Sequence, residues 1–212
     1  MVTIIVGPDG SEQTFVVHQS AISYHSPFFA AAFKSNFVEG QTQSMRLADV
    51  EEKIFGLLVH WIYTGEIEGG HCVGLVPAGK LWLLADWCMI PELQNAAILL
   101  IRDTIFTGVV TKTILVGFRD LILLAYKFEI QSPLRKLLAD FMSLNSAQSL
   151  RKFLESFLEG LDARIAVDIA TDIAVLLRTE GQKSNHQRGA ISIQRLVPIQ
   201  QYYVNVPERN EP

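Results

Sequence analysis

The spacing of apolar positions divides the chain into a short β-rich start and a long helical remainder. Val2-Thr3-Ile4-Ile5-Val6 is a β-branched run bounded by Gly7-Pro8-Asp9-Gly10, and Thr14-Phe15-Val16-Val17 follows. Two such runs around a Pro/Gly/Asp turn predict a β-hairpin. His18–His25 reads as a short helix with Ala21 and Ile22 apolar. Ser26-Pro27 then has the form of a helix start, with Ser as N-cap and Pro in the first turn. Phe28, Phe29, Ala32 and Phe33 make its buried stripe. Met45-Arg46-Leu47 alternates and predicts a short third strand. Asp49-Val50-Glu51-Glu52 resembles a capping box, with Asp49 as N-cap and Glu52 at the third helical position. The helix behind it places Ile54, Phe55, Leu58, Trp61 and Ile62 on one face and ends at Thr64-Gly65.

From residue 78 onward the period is helical. Successive stripes are Leu81, Leu84, Ala85 and Cys88; Leu93, Ala97, Leu100 and Ile101; Ile114, Leu115, Phe118, Leu121, Ile122 and Ala125; then Leu134, Leu137, Leu138 and Phe141. Ser132-Pro133 opens the last of these. Leu150, Phe153, Leu154, Phe157 and Leu158 form a fifth, and Ile165 to Leu177 carries a sixth. From Gly181, Gln, Asn, Ser, Arg and Pro displace the stripes, although Ile191–Tyr203 keeps some apolar residues; this predicts a tail of low order. The fold class is α+β, a small sheet with helices at the N-terminal end followed by an all-helical extension.

Composition raises the question of where the apolar surface goes. The 212 residues are 49% hydrophobic and 19% charged, with mean hydropathy +0.24. A bilayer span needs ~20 consecutive apolar residues. The densest stretches are Ile54–Tyr63, Ala96–Ile101 and Thr113–Phe128; the first is short, the second ends at Arg102-Asp103 and the third is cut by Arg119-Asp120. A charged pair at mid-helix costs several kcal/mol in lipid, so no membrane partner is expected. The first residues lack a basic n-region and a cleavage site. Two cysteines, Cys72 and Cys88, are too few for a disulfide scaffold and read as buried reduced thiols. Together these readings predict an intracellular location, in cytoplasm or nucleus. Residues 1–70 carry three basic residues, Lys34, Arg46 and Lys53, against eight acidic ones. Such a surface repels phosphate, so no nucleic-acid partner is expected.

No motif proposes catalysis. Gly79-Lys80-Leu81 lacks the hydroxyl and glycine spacing of a phosphate-binding loop, and Gly-x-Ser-x-Gly is absent. His71-Cys72 and Cys88 do not have the paired spacings of a zinc site. Glu51-Glu52 and Glu66/Glu68 read as helix-end and surface carboxylates. An enzyme would need a pocket with convergent titratable groups, drawn from residues such as His18, His25 and His60. The chain is therefore read as non-enzymatic, without metal or cofactor.

Residues 15–67 carry the information. Phe15-Val16-Val17-His18, Ser26-Pro27-Phe28-Phe29, Phe37-Val38-Glu39-Gly40, Leu47-Ala48-Asp49-Val50 and Trp61-Ile62-Tyr63-Thr64-Gly65 occur in that order. This series resembles the BTB/POZ family, whose pattern runs F-x-V-H, S-P-x-F, an L-x-D-V-type segment and a helix ending in Y-T-G. Lys80–Asp86 and Ile90–Asn95 also resemble it, particularly its short, BTB-only fungal members. The likeness covers residues 2–106. Ser132–Leu138 resembles the helical extension of the same group. The expected organisation is a BTB/POZ domain at 1–106, a helical extension at 107–180 and a flexible tail at 181–212.

The matched residues have physical readings of their own. His18 closes the second strand and is read as bonding backbone near the following helix. Phe28, Phe33 and Phe55 are read as core. In BTB adaptors of cullin-based ubiquitin ligases, a hydrophobic-x-Glu motif lies in the loop that Phe37-Val38-Glu39 occupies here and contacts the cullin N-terminal helices. The resemblance thus implies a partner-binding motif of Phe37, Val38 and Glu39, an aromatic anchor flanked by a carboxylate. The alternative is a loop Phe folded onto its own core beside a solvated Glu.

Dimeric members often carry a further N-terminal helix and strand exchanged between subunits. Here the sequence starts at its first strand, so a monomer or a weaker self-association is expected, unless the sequence is truncated. No kelch, zinc-finger or MATH-like module is visible, which leaves target capture to residues 110–180 or the tail. The function implied is a protein-interaction module, a BTB substrate adaptor bridging a cullin scaffold to an unknown target protein. The alternative is an oligomerising BTB scaffold without a ligase role.

Overall fold

A computed structural model of the chain describes residues 1–107, 112–127, 132–144, 163–172 and 199–207. The hairpin forms as expected: β1 (Val2–Val6) pairs antiparallel with β2 (Gln13–Val17), Val2 opposite Val17 and Val6 opposite Gln13. β3 (Ser44–Leu47) lies parallel to β1 on its other side, giving the order β2-β1-β3. Alternation sends Ile4, Val6, Val17, Met45 and Leu47 into the core, while Arg46 faces out and pairs with Asp9 and Glu12 across the hairpin turn.

Between β2 and β3 run α1 (Gln19–His25), α2 (Pro27–Lys34) and α3 (Val38–Thr42). After β3 come α4 (Glu52–Thr64), a 3-10 turn at Gly70–Val73, α5 (Leu75–Trp87), α6 (Pro91–Thr107), α7 (Lys112–Tyr126) and α8 (Pro133–Leu144). Residues 163–172 are helical, and a 3-10 turn spans Ile199–Tyr202. Among the described residues no helix is long and apolar enough to cross a membrane.

The chain divides into two compact units. One comprises Met1–Ile101 and the chain from Val204; the other is Arg102–Tyr203. The division falls inside α6.

In the first unit the predicted stripe of α4 is buried in full, and Phe15 meets Phe55 edge-to-face at 4.9 Å. Ser26 caps α2 as expected: its Oγ accepts from the Phe29 N–H at 3.2 Å and donates to the Cys88 carbonyl at 2.5 Å. Gly65 ends α4 in the left-handed region, its N–H donating to the Trp61 carbonyl at 2.8 Å. Asn95 of α6 grips the backbone of Val204 in both directions, at 3.0 and 2.7 Å.

In the second unit Phe118, Leu121, Ile122 and Ala125 of α7 and Leu134, Leu137 and Leu138 of α8 are buried. Ser132 caps α8, accepting from the Arg135 N–H at 3.2 Å. Arg135 lies over the Tyr126 ring at 4.1 Å and donates to Asp172, which also accepts from the Tyr126 hydroxyl.

Several expectations are corrected. Asp49 is not the cap of α4; Glu51 holds that position, without a side-chain cap bond, because the chain is still turning at Asp49, with the Val50 N–H directed to the Leu47 carbonyl. Phe28 is half-buried against Trp87, ring centroids 4.5 Å apart, and the buried rings of α2 are Phe29 and Phe33. Leu100 is half-buried and Ile98 takes its place in the core. Cys88 is buried but Cys72 is exposed. The expected tail of low order does not hold at 199–204: Ile199 and Tyr202 are buried, and the Tyr202 hydroxyl donates to buried Asp140 at 2.5 Å. The fifth predicted helix and the end of the sixth lie outside the described residues.

Candidate functional site

Phe37-Val38-Glu39 is not a plain loop. α2 ends at Lys34, and Ser35 closes it, its Oγ donating to the Ala32 carbonyl at 2.7 Å. The same oxygen accepts from the Phe37 N–H at 3.2 Å and so carries the chain round the corner. Phe37 is the N-cap of α3; its carbonyl accepts from the Gln41 N–H at 3.0 Å. A five-residue helix is far too short to stand alone, and side chains complete it. Gln41 Nε2 donates to the Asn36 carbonyl at 2.7 Å, and Thr42 Oγ1 donates to the Val38 carbonyl at 2.7 Å. Gln43 Nε2 donates to the carbonyls of Phe33 at 3.1 Å and Gly40 at 2.7 Å. Gly40 is needed because its Cα lies against the Ser35 backbone; a Cβ there would come within 1.8 Å of the Ser35 carbonyl oxygen.

The corner turns two apolar side chains to solvent. Phe37 is 75% exposed and Val38 68%, while Glu39 is half-buried. The alternative of a Phe folded onto its own core is thereby excluded for Phe37. Burying an exposed Phe or Val against a partner is worth ~1.5–3 kcal/mol per side chain. The arrangement offers apolar contact with a neighbouring acceptor and holds no nucleophile–base pair. Among the described residues no group of three or more His, Cys, Asp and Glu is placed to hold a metal ion.

His18 and Tyr63 sit elsewhere in the same unit. The Tyr63 hydroxyl accepts from the His18 N–H at 3.0 Å and bonds its Nδ1 at 2.8 Å. The partner of His18 is thus a phenol rather than the expected backbone group, and His18 and Tyr63 form a brace between the end of β2 and the end of α4. Burial pushes the Cys88 thiol up to about 12, which makes it an inert core thiol. The sequence pattern did not reveal Ser35, Gly40 and Gln43 as the residues that build α3. Gly40, beside an apolar pair, was the one visible signal of a close backbone approach.

Comparison with known proteins gives one family match. The model of the BTB/POZ domain matches residues 2–85. Kelch-like protein 40 of Xenopus tropicalis is 41% identical over 54 residues, 26% of this chain and 9% of that protein. Kelch-like protein 30 of Mus musculus is 36% identical over 66 residues, 31% of this chain and 11% of that protein. Kelch repeat and BTB domain-containing protein 4 of Homo sapiens is 35% identical over 65 residues, 31% of this chain and 12% of that protein. The likeness therefore spans about a tenth of the length of these relatives.

Proposed function

Residues 2–85 form a BTB/POZ domain, a protein-interaction domain, and on that premise we propose that the chain is a substrate adaptor of a cullin-based ubiquitin ligase. The observation that carries this reading is the exposure of Phe37 and Val38 at a hydrogen-bonded corner, where adaptors of this family hold their hydrophobic-x-Glu motif. Phe37 is the anchor, Val38 extends the apolar contact and Glu39 supplies the acceptor. An intracellular location follows from the same reading. Target capture falls to the chain beyond the BTB/POZ domain.

The test is titration of the purified chain with a cullin N-terminal domain by calorimetry. Removal of a central aromatic anchor typically costs ~2 kcal/mol or more, about thirtyfold in affinity. Phe37→Ala is expected to show that loss, and Glu39→Ala a smaller one, with the folding midpoint unchanged. Absence of wild-type binding at tens of micromolar overturns the adaptor reading. A mass that rises with concentration in light scattering, without cullin binding, would favour an oligomerising scaffold instead.

A further inference from the structure

Gln43 stands out at this corner. It is one of two non-glycine residues with positive φ among those described, at φ 51 and ψ 36. The left-handed region is disfavoured for a residue with a Cβ, and such outliers persist only where the surroundings hold them. Three bonds hold this one. Its carbonyl accepts from the Thr3 N–H at 2.9 Å, tying it to the sheet. Its side-chain amide nitrogen reaches back to the last turn of α2 through Phe33 and to α3 through Gly40. One side chain thus joins the two helices on either side of Phe37, from a residue itself fastened to β1.

We propose that Gln43 is a positioning residue for the partner-binding corner: it holds α3 in the conformation that displays Phe37 and Val38, without touching the partner itself. This deepens the adaptor reading and rests on it. The mechanism is preorganisation. A partner meets the corner already formed, and apparent affinity scales with the fraction of molecules in that form. Both N–H donors of the amide serve carbonyls, so the requirement is for donors, not for bulk or charge.

Gln43→Glu is the closest test, because it keeps the shape and replaces the donor end by an acceptor that is ionised at neutral pH. Gln43→Gly is the second variant; it keeps the left-handed turn without steric cost and removes the side chain. Each is assayed in the full chain for affinity to a cullin N-terminal domain, and for amide exchange of residues 38–42 by mass spectrometry. If the corner's formed fraction falls to about a tenth, affinity falls about tenfold and exchange accelerates in step. Tryptophan emission checks that the domain remains folded. In a Phe37→Ala, Val38→Ala background, Gln43→Glu is expected to cost little further affinity, an outcome that a general loss of stability would not produce. Wild-type affinity in both Gln43 variants overturns the inference and leaves the adaptor reading intact. An undiminished Gln43→Glu effect in the background lacking Phe37 and Val38 overturns it as well. A wild-type chain that does not bind overturns the adaptor reading and the positioning role with it.

Discussion

Ser26→Ala tests how the domain that carries the corner is held together. Ser26 is wholly buried, and its one oxygen serves two elements. It accepts from the Phe29 N–H to start α2 and donates to the Cys88 carbonyl at the end of α5. Loss of a Ser N-cap costs ~1 kcal/mol. Loss of the donor to a buried carbonyl costs ~1–3 kcal/mol. The two share an atom and do not add fully, so Ser26→Ala is expected to destabilise by ~1.5–3 kcal/mol, against a total stability of ~5–15 kcal/mol for a typical chain. Urea denaturation followed by tryptophan emission is the assay, because Trp61, Trp82 and Trp87 are the chain's three tryptophans and all lie in the first unit with Ser26. The midpoint should fall with the slope unchanged. Ser26→Gly separates the terms: glycine is a tolerable N-cap, so this variant should lose chiefly the bond to Cys88. A cost below ~1 kcal/mol for Ser26→Ala would refute the reasoning that the hydroxyl joins α2 to α5.

Three other predictions concern the same unit. Cys72 is exposed and Cys88 buried, so an aromatic disulfide reagent should titrate one thiol in the native chain and two in denaturant; two fast native thiols would contradict the burial of Cys88. The raised Cys88 pKa means that the folded chain keeps a proton the unfolded chain releases between about 9 and about 12, so stability should fall as pH rises through that window, by ~1.4 kcal/mol per pH unit, and a flat profile above pH ~9 would count against it. Gly65→Ala places a Cβ where nothing lies within 4 Å, at φ +73; the cost is backbone alone, ~1–2 kcal/mol, and a neutral result in urea would show that the end of α4 does not need the left-handed turn.

Where local chemistry and long-range packing agree, the elements were legible. The hairpin follows from two β-branched runs and a Gly-Pro-Asp-Gly turn, and the start of α2 from Ser26-Pro27. Arg46 between Met45 and Leu47 marks β3 by alternation alone. The failures occur where tertiary contacts decide. Asp49 has the composition of a cap, but the turn at Leu47–Val50 delays α4 to Glu52. Phe28 and Phe29 are equivalent in a periodicity count; the facing of α2 buries Phe29 and leaves Phe28 against half-exposed Trp87. The buried residues Ile199 and Tyr202 were hidden by a polar surrounding sequence, because their contacts lie far off along the chain, as the pairing of Tyr202 with Asp140 shows.

The corner at Phe37 marks the limit of pattern reading most sharply. Val38–Thr42 has no apolar stripe, and five residues cannot pay the nucleation cost of a helix from their own propensity. The helix exists because Ser35, Gln41 and Gln43 place side-chain donors and acceptors on nearby backbone groups, and because Gly40 lets α3 close onto Ser35. None of these bonds has a periodic signature. Their effect is to hold two large apolar side chains in water, where they add nothing to the core. A loose loop would let Phe37 collapse onto the surface, and a partner would then have to order it at a cost of ~0.5–1.5 kcal/mol for each immobilised side chain. With the backbone already bonded on both sides of Phe37, that ordering is done during folding, and the apolar area it exposes is left free for association.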